Sequence, residues 1–160
     1  MTRIAILNDV AKEATAIREV LTRRLPGLTE DDIAFWHVHD ETTFRRCSEQ
    51  IATTDGGVIL GRAAAIVLRD RPAALHVRLD GPAEARVKRA MSFEQLDEEQ
   101  ARKLLGETDR AREAYVKHFY KCDPRDASHY HLVLDSTALE LDTCVDLIVT
   151  AARARNITPS

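Results

Sequence analysis

The sequence predicts an α/β fold with a mostly parallel, five-stranded sheet flanked by helices. Short apolar runs alternate along the chain with segments in which apolar residues recur at helical spacing. Several of these runs are apolar at every position, which is typical of strands in a parallel sheet covered on both faces. The order of strands and helices favours parallel pairing through right-handed crossovers.

The N-terminal part of the chain is predicted to hold three strands and two helices. Pro26 and Gly27 end the first helix because neither residue continues a regular helix. The second helix, "ETTFRRCSEQIA", places Phe44, Cys47 and Ile51 on one face. The five elements alternate from strand to helix and are expected at 4–7, 14–25, 33–40, 41–52 and 58–60.

The C-terminal part is predicted to hold, in order, a strand, two helices, a strand and a helix. Pro82 suits the first position of a helix, since its missing N–H has no partner there anyway. Asp97 and Gln100 have the spacing of a capping box that opens a long helix. The five elements are expected at about 74–80, 82–92, 97–120, 131–135 and 141–155.

Length and composition restrict the class of protein. The 160 residues, with 44% hydrophobic and 31% charged, predict one soluble domain with a core. A net charge of −3 gives no global reason to expect nucleic acid or an anionic membrane as a partner. This net charge is also compatible with a homo-oligomer. Three scattered cysteines and the lack of a signal-peptide or membrane-spanning run favour a reducing cytoplasm.

Most of the candidate functional residues are arginines. Arg62 follows a predicted strand, and ligands of α/β proteins lie at the carboxyl ends of parallel strands. Asp109 and Arg112 share a face of the long helix, as Arg86 and Arg89 do on the helix before it. Converging guanidinium groups would bind phosphate oxygens in pairs. The alternative is an ordinary solvated helix face with local ion pairs.

Two His-x-His pairs are candidate metal ligands. His37 and His39, like His129 and His131, would share a face if each pair lay on a strand. Neither pair has a carboxylate or cysteine at a recognisable spacing to complete a site. We therefore expect no metal site and ordinary hydrogen bonds for these histidines.

The C-terminal two thirds of the chain resembles the cytidylate kinase-like family of nucleoside monophosphate kinases, over residues 56 to 152. "GGVILGRAAAIVLRDRPAALHVRLDGPAEARVKRA" is similar to the family's strand, Gly-Arg turn, strand and helix. "LDEEQARKLLGETDRAREAYVKHFY" carries the pattern T-D-x-x-R-x-x-Y, and "YHLVLDSTALELDTCVDLIVTAA" continues the likeness. The resemblance implies a P-loop kinase-like, three-layer architecture in a single domain, 1–160, with a lid-type helical segment at about 82–120.

The resemblance also implies roles for particular residues. Arg62 would contact the phosphate of a nucleoside monophosphate, and Asp109 and Arg112 would lie beside the acceptor and the transferring phosphoryl group. Arg86 and Arg89 would face the donor phosphates. The family transfers the γ-phosphoryl group of ATP to CMP or a similar acceptor with Mg²⁺, so a nucleotide or another phosphate-bearing small molecule is the expected partner.

The N-terminal third departs from the family pattern in two places. The family's glycine loop falls on "AKEA" at 11–14, where Cβ atoms restrict a close approach to phosphate and Glu13 adds a negative charge. Lys12 would offset part of that charge. The region that binds the nucleoside monophosphate is reduced to about 26–57. As the alternative to a degenerate loop, "DVAKEAT" is the first turn of a surface helix.

Three functions follow from these observations. The first is a degenerate cytidylate kinase-like protein that keeps part of a phosphate-binding cleft and has weak or no phosphoryl-transfer activity. The second is an active nucleoside monophosphate kinase with an atypical loop. The third is a non-catalytic interaction or regulatory module.

Overall fold

The chain divides into two compact units, with the boundary between Ala74 and Leu75. The predicted helix at 14–25 lies outside the described residues. The computed structural model describes residues 4–7, 33–36, 41–53, 58–59, 61 and 63–155.

The first unit contains a pair of parallel strands. β1 (Ile4–Leu7) and β2 (Ile33–Trp36) are in register from Ile4 opposite Ile33 to Leu7 opposite Trp36. Both strands are apolar at every position, as predicted for strands of a parallel sheet. Two helices follow them in sequence, α1 (Glu41–Thr53) and α2 (Ala64–Val67).

The core of the first unit forms on α1. Phe44, Cys47 and Ile51 are buried together, with Phe44 fully inaccessible. Their spacing places them on one helix face, so their burial confirms the face predicted from the sequence. Other partly buried apolar side chains pack against them, namely those of Ile59, Ala64 and Val67.

The predicted strand at 58–60 is wrong for Val58 and Ile59, which belong to no strand. Ile59 packs against the core of the first unit, whereas Val58 is half exposed. A short apolar run predicts burial equally well for a strand and for an irregular segment, because only hydrogen bonds to a neighbouring strand distinguish them.

The second unit contains the other pair of parallel strands. β3 (Val77–Asp80) and β4 (Leu132–Asp135) are in register from Val77 opposite Leu132 to Asp80 opposite Asp135. β3 begins three residues later than predicted. The His76 carbonyl nevertheless accepts hydrogen bonds from the backbone N–H groups of His131 (2.8 Å) and Leu132 (3.2 Å), which extends the pairing.

Three helices complete the second unit: α3 (Ala83–Glu94), α4 (Glu98–Tyr120) and α5 (Leu141–Ala154). Pro82 is the N-cap of α3, one position before the predicted one. The predicted capping box is confirmed, since the Asp97 carboxylate accepts from the Gln100 N–H at 2.8 Å and the Gln100 side chain accepts from the Asp97 N–H at 3.1 Å. α3 packs against α4.

The parallel α/β character is confirmed, but a five-stranded sheet is not formed by the described residues. Their four strands make two separate two-stranded parallel sheets. The apolar runs were sufficient to predict strands, whereas the number of strands in one sheet depends on hydrogen bonds between distant segments. Within the described ranges, no helix is both long and apolar enough to cross a membrane.

Candidate phosphate-binding site

The carboxyl ends of β3 and β4 lie side by side and are joined by a backbone hydrogen bond. Asp80 is opposite Asp135, and the Ser136 backbone N–H donates to the Asp80 carbonyl at 3.0 Å. A Cβ added to Gly81 would lie 2.5 Å from Cγ2 of Thr137. Glycine at position 81 therefore allows the two strand ends to approach each other.

The two aspartates at these strand ends are already engaged. Oδ1 of Asp135 accepts from the Thr137 hydroxyl (2.5 Å), the Thr137 N–H (2.9 Å) and the Ala138 N–H (3.2 Å). The hydrogen bond from the Thr137 hydroxyl is the main reason why the pKa of Asp135 is lowered. Oδ2 of Asp80 pairs with Nη2 of Arg78 at 2.6 Å.

Arg86 and Asp109 form a bidentate ion pair between α3 and α4. Nη1 of Arg86 donates to Oδ2 of Asp109 and Nη2 donates to Oδ1, both at 2.8 Å. These hydrogen bonds lower the pKa of Asp109 and raise that of Arg86. The positive charges of Arg112 and Arg125 lower the pKa of Asp109 further.

Arg89 contacts the backbone of the loop after β4. Its Nη1 donates to the Ser136 carbonyl, so this guanidinium ties α3 to the loop after β4. Arg112 is exposed on α4, where it acts on Asp109 through its charge. The structure thus brings Arg86, Asp109 and Arg112 together and places Arg89 on a backbone carbonyl. Two other predicted site residues, Arg62 and Lys12, lie outside the described residues.

An open depression of about 200 Å³ lies between α3 and α4, beside the ion pair. Its walls include Arg86, Asp109 and the main chain at Gly106, with apolar side chains between them. Sites for whole small-molecule ligands typically enclose about 300–1,000 Å³. The depression therefore suits one group of a ligand, such as a phosphate, better than an entire nucleotide.

Arg125, Asp80 and Gly81 are site residues that sequence reasoning did not single out. Asp80 and Gly81 could have been found, because they are the last residue of a predicted strand and the residue after it, at the edge where ligands bind. Arg125 lies in "CDPRDASHY", which the sequence identified only as a loop. Its approach to α4 depends on how that loop folds, which no local pattern encodes.

The histidines of the second His-x-His pair do not share a strand. His129 ends a short 3-10 helix (Ala127–His129), and His131 precedes β4. Nδ1 of His131 accepts a hydrogen bond from the His76 N–H at 3.0 Å, and the His76 and His131 rings stack with centroids 5.0 Å apart. Among the residues described, no group of three His, Cys, Asp or Glu side chains could hold a metal ion. His37 and His39 lie outside those residues.

The fold and this cleft define an α/β protein with parallel strands and with arginines and aspartates at their carboxyl edge. A family model described as the cytidylate kinase-like family matches residues 5–138. The chain belongs to the cytidylate kinase-like family, which confirms the resemblance seen in its motifs.

Two curated relatives and one solved structure are similar to the chain. A cytidylate kinase from Methanopyrus kandleri is 33% identical over 109 residues, which cover 62% of this chain and 56% of that protein. A uronate isomerase from Corynebacterium glutamicum is 35% identical over 98 residues, which cover 61% of this chain and 19% of that enzyme. The chain thus matches only part of the length of each relative. An uncharacterized protein from Eubacterium ventriosum, 21% identical, superposes with a TM-score of 0.65 and covers 96% of this chain and 99% of that one. That likeness shows the fold alone.

Proposed function

We propose that the chain is a degenerate cytidylate kinase-like protein that keeps part of a phosphate-binding cleft and has weak or no phosphoryl-transfer activity. The bidentate ion pair of Arg86 and Asp109 carries this proposal. A guanidinium that donates two of its five N–H groups to a carboxylate has fewer donors left for phosphate, and the paired carboxylate offsets its positive charge. Arg89 is likewise engaged, by the Ser136 carbonyl.

The sequence of the N-terminal third supports the same proposal. The family's glycine loop corresponds to Ala11, Lys12, Glu13 and Ala14. Side chains at these positions hinder the backbone N–H groups from surrounding a phosphate, and the Glu13 carboxylate repels it. The reduced segment at about 26–57 leaves little chain for recognising a nucleoside monophosphate.

The carboxylates at the strand ends are poorly suited to a resident cation. In an active enzyme of this class, ATP would supply the phosphoryl group and Mg²⁺ would neutralise phosphate charge. Mg²⁺ usually takes one or two carboxylates besides water and phosphate oxygens. Asp80 is paired with Arg78, and Oδ1 of Asp135 holds a turn through three hydrogen bonds. Mg²⁺ bound through Oδ2 of Asp80 or Oδ1 of Asp135 would compete with these contacts.

Binding and turnover measurements test the proposal together. Isothermal titration with ATP, ADP, CMP and dCMP is expected to give weak binding, and a coupled assay of ADP release is expected to stay near background with CMP and dCMP. Asp70→Asn, which changes an exposed carboxylate in the first unit, is the control for Asp109→Asn. Rapid phosphorylation of CMP by the pure protein, abolished by Asp109→Asn and not by Asp70→Asn, would show that the proposal is wrong.

An active nucleoside monophosphate kinase is the second candidate, favoured by the 33% identity to a cytidylate kinase. In that function Arg62, Asp109 and Arg112 would hold the phosphoryl groups, and Lys12 would contact the donor. Arg62→Ala is then expected to reduce turnover strongly, since it removes a phosphate contact. An unchanged rate in that variant would contradict this mechanism.

A non-catalytic interaction module is the third candidate. Leu141, Val145 and Leu147 on α5 are each more than a third exposed, so α5 presents large apolar side chains that a partner would cover. Size-exclusion chromatography with light scattering would show whether the chain forms a homo-oligomer, as this function predicts. A monomeric molar mass at every protein concentration would argue against this function.

The wider architecture and cellular location are also proposals. We propose that residues 1–160 form a single domain with a three-layer arrangement, in which 82–120 acts as a lid-type segment, and that the protein is cytoplasmic. Leu79 and Val133 support the layered arrangement, because they are apolar residues of β3 and β4 that remain about half exposed, and apolar strands of parallel sheets are typically covered by helices on both faces. An experimental structure with all strands placed would test it.

A further inference from the structure

The arginines of the second unit differ in how firmly their guanidinium groups are held. Arg86 is bidentate to Asp109, and Arg78 contacts both Asp80 and the Pro124 carbonyl. Arg125, in contrast, is 64% exposed. An arginine in a partly buried bidentate pair is costly to release, whereas an exposed one exchanges partners at little cost.

Arg125 is exposed but its backbone is held firmly, on a segment that we term the strap (residues 121–130). The Pro124 carbonyl accepts hydrogen bonds from Nη1 of Arg78 (2.8 Å) and from the hydroxyl of Tyr130 (2.9 Å). The Arg125 N–H donates to Oδ1 of Asp123 at 2.9 Å. The peptide group between Pro124 and Arg125 is therefore tied to β3 and to the strap itself.

The strap directs Arg125 to the face of α4 that carries Asp109. Nη2 of Arg125 contacts Oε1 of Glu113. Glu113 lies one helical turn after Asp109, and Arg112 lies three residues after it, so the three side chains share a face. Nζ of Lys117 is 3.7 Å from Oε2 of Glu113, which adds another exposed cation there.

This ion pair adds little to stability, because exposed pairs of this kind are typically worth less than about 1 kcal/mol. Asp109 is already neutralised by Arg86, and the Glu113 carboxylate lies within 4 Å of the cations of Lys117 and Arg125. Arg112 adds a positive charge near Asp109 on the same helix face. A group carrying about two negative charges and several acceptor oxygens would complement these cations, as a phosphate does.

We propose that Arg125, presented by the strap, binds a phosphate group of a nucleotide together with Arg112, in exchange for its ion pair with Glu113. The inference rests on the proposed function, because it adds a binding residue near Asp109. Arg86 keeps its pair with Asp109 and acts as a positioning residue. The ligand is a phosphate-bearing anion, either a nucleotide or free pyrophosphate.

Isothermal titration with ADP, CMP and inorganic pyrophosphate tests this proposal on the full chain. Arg125→Ala is expected to weaken binding about tenfold, the effect of losing a charge-assisted contact. Arg153→Ala is the matched control, because it removes the same charge from an exposed arginine in the last turn of α5, and it should change affinity less than about twofold. Glu113→Gln should strengthen binding, since it removes the competing carboxylate. ADP binding without pyrophosphate binding would identify a nucleotide as the ligand.

The outcomes separate this inference from the function on which it rests. If the wild-type chain binds none of the three probes, both are overturned. If it binds them but Arg125→Ala behaves like Arg153→Ala, only the role of Arg125 is overturned. If Glu113→Gln loses as much binding affinity as Arg125→Ala, the ion pair between these two residues is purely structural. Circular dichroism would confirm that each variant is folded.

Discussion

Arg86 and Asp109 form a tightly constrained ion pair, because two guanidinium nitrogens donate to two carboxylate oxygens. Their side chains are 26% and 33% exposed, so neither charge is fully solvated. Separating the pair would leave a partly buried charge without its main partner. The geometry therefore favours a permanent contact that holds α3 on α4. Other cations near this ion pair remain accessible.

Arg86→Ala is expected to destabilise the chain by about 1 kcal/mol, because the Asp109 carboxylate loses its bidentate partner while solvent screens part of the loss. The midpoint of urea unfolding measures this effect. Arg69→Ala, whose partner is the exposed side chain of Asp70, should leave the midpoint unchanged. Equal midpoints for Arg86→Ala and the wild type would show that the pair contributes no stability.

At the scale of elements, α4 begins where the sequence predicted, since its capping box is local. Asp97 and Gln100 are three residues apart, and their mutual hydrogen bonds require no other part of the chain. Gly106 inside the same helix has no local explanation. A Cβ added there would meet no atom within 4 Å, so packing among the described residues does not require a glycine.

Gly106→Ala is expected to stabilise the chain by about 0.5–1 kcal/mol, because alanine loses less conformational entropy than glycine in a helix. Gly81→Ala is the opposite case, since its Cβ would lie 2.5 Å from Cγ2 of Thr137. That variant should lose about 1–3 kcal/mol through steric strain. Unfolding midpoints that shift in the same direction for both glycines would contradict the packing seen at these positions.

At the scale of the whole molecule, carboxylates held by hydrogen bonds link stability to pH. The pKa of Asp109 is lowered mainly by the hydrogen bonds from Arg86, and that of Asp135 by the bond from the Thr137 hydroxyl. The pKa of Asp126 is lowered by the Ser128 N–H, and that of Glu84 by Arg102. In acid, the unfolded chain therefore binds more protons at these groups than the folded chain does.

Stability is consequently expected to be highest above the ordinary carboxyl pKa and to fall as the pH drops below about 5. His131 also makes stability fall as the pH drops below the usual histidine pKa of about 6.5. Desolvation lowers the pKa of His131 in the folded chain, so the unfolded chain binds a proton at this residue more readily. Urea midpoints measured from neutral to acidic pH test this dependence. Asp109→Asn should decline less steeply than the wild type, and a midpoint independent of pH would contradict the expectation.

Local patterns predicted much of the fold and part of the site. The buried face of α1, the capping box and both strands of the second unit were predicted from spacing within short segments. The grouping of Asp109 with Arg112 follows from helical periodicity alone. The partners of Arg86 and Arg89 could not be predicted, because either arginine on α3 could reach a carboxylate, a carbonyl or a ligand.

The sequence by itself determined the alternation of strands and helices, their parallel α/β character and the family to which the chain belongs, since each depends on residue order and periodicity. The tertiary structure decided which arginines are engaged. It joined Arg86 to Asp109, Arg89 to the Ser136 carbonyl and Arg125 to Glu113. These contacts join residues that are 12 to 47 positions apart in sequence. Such contacts depend on how helices and loops pack in space, and hydrophobic periodicity does not specify them.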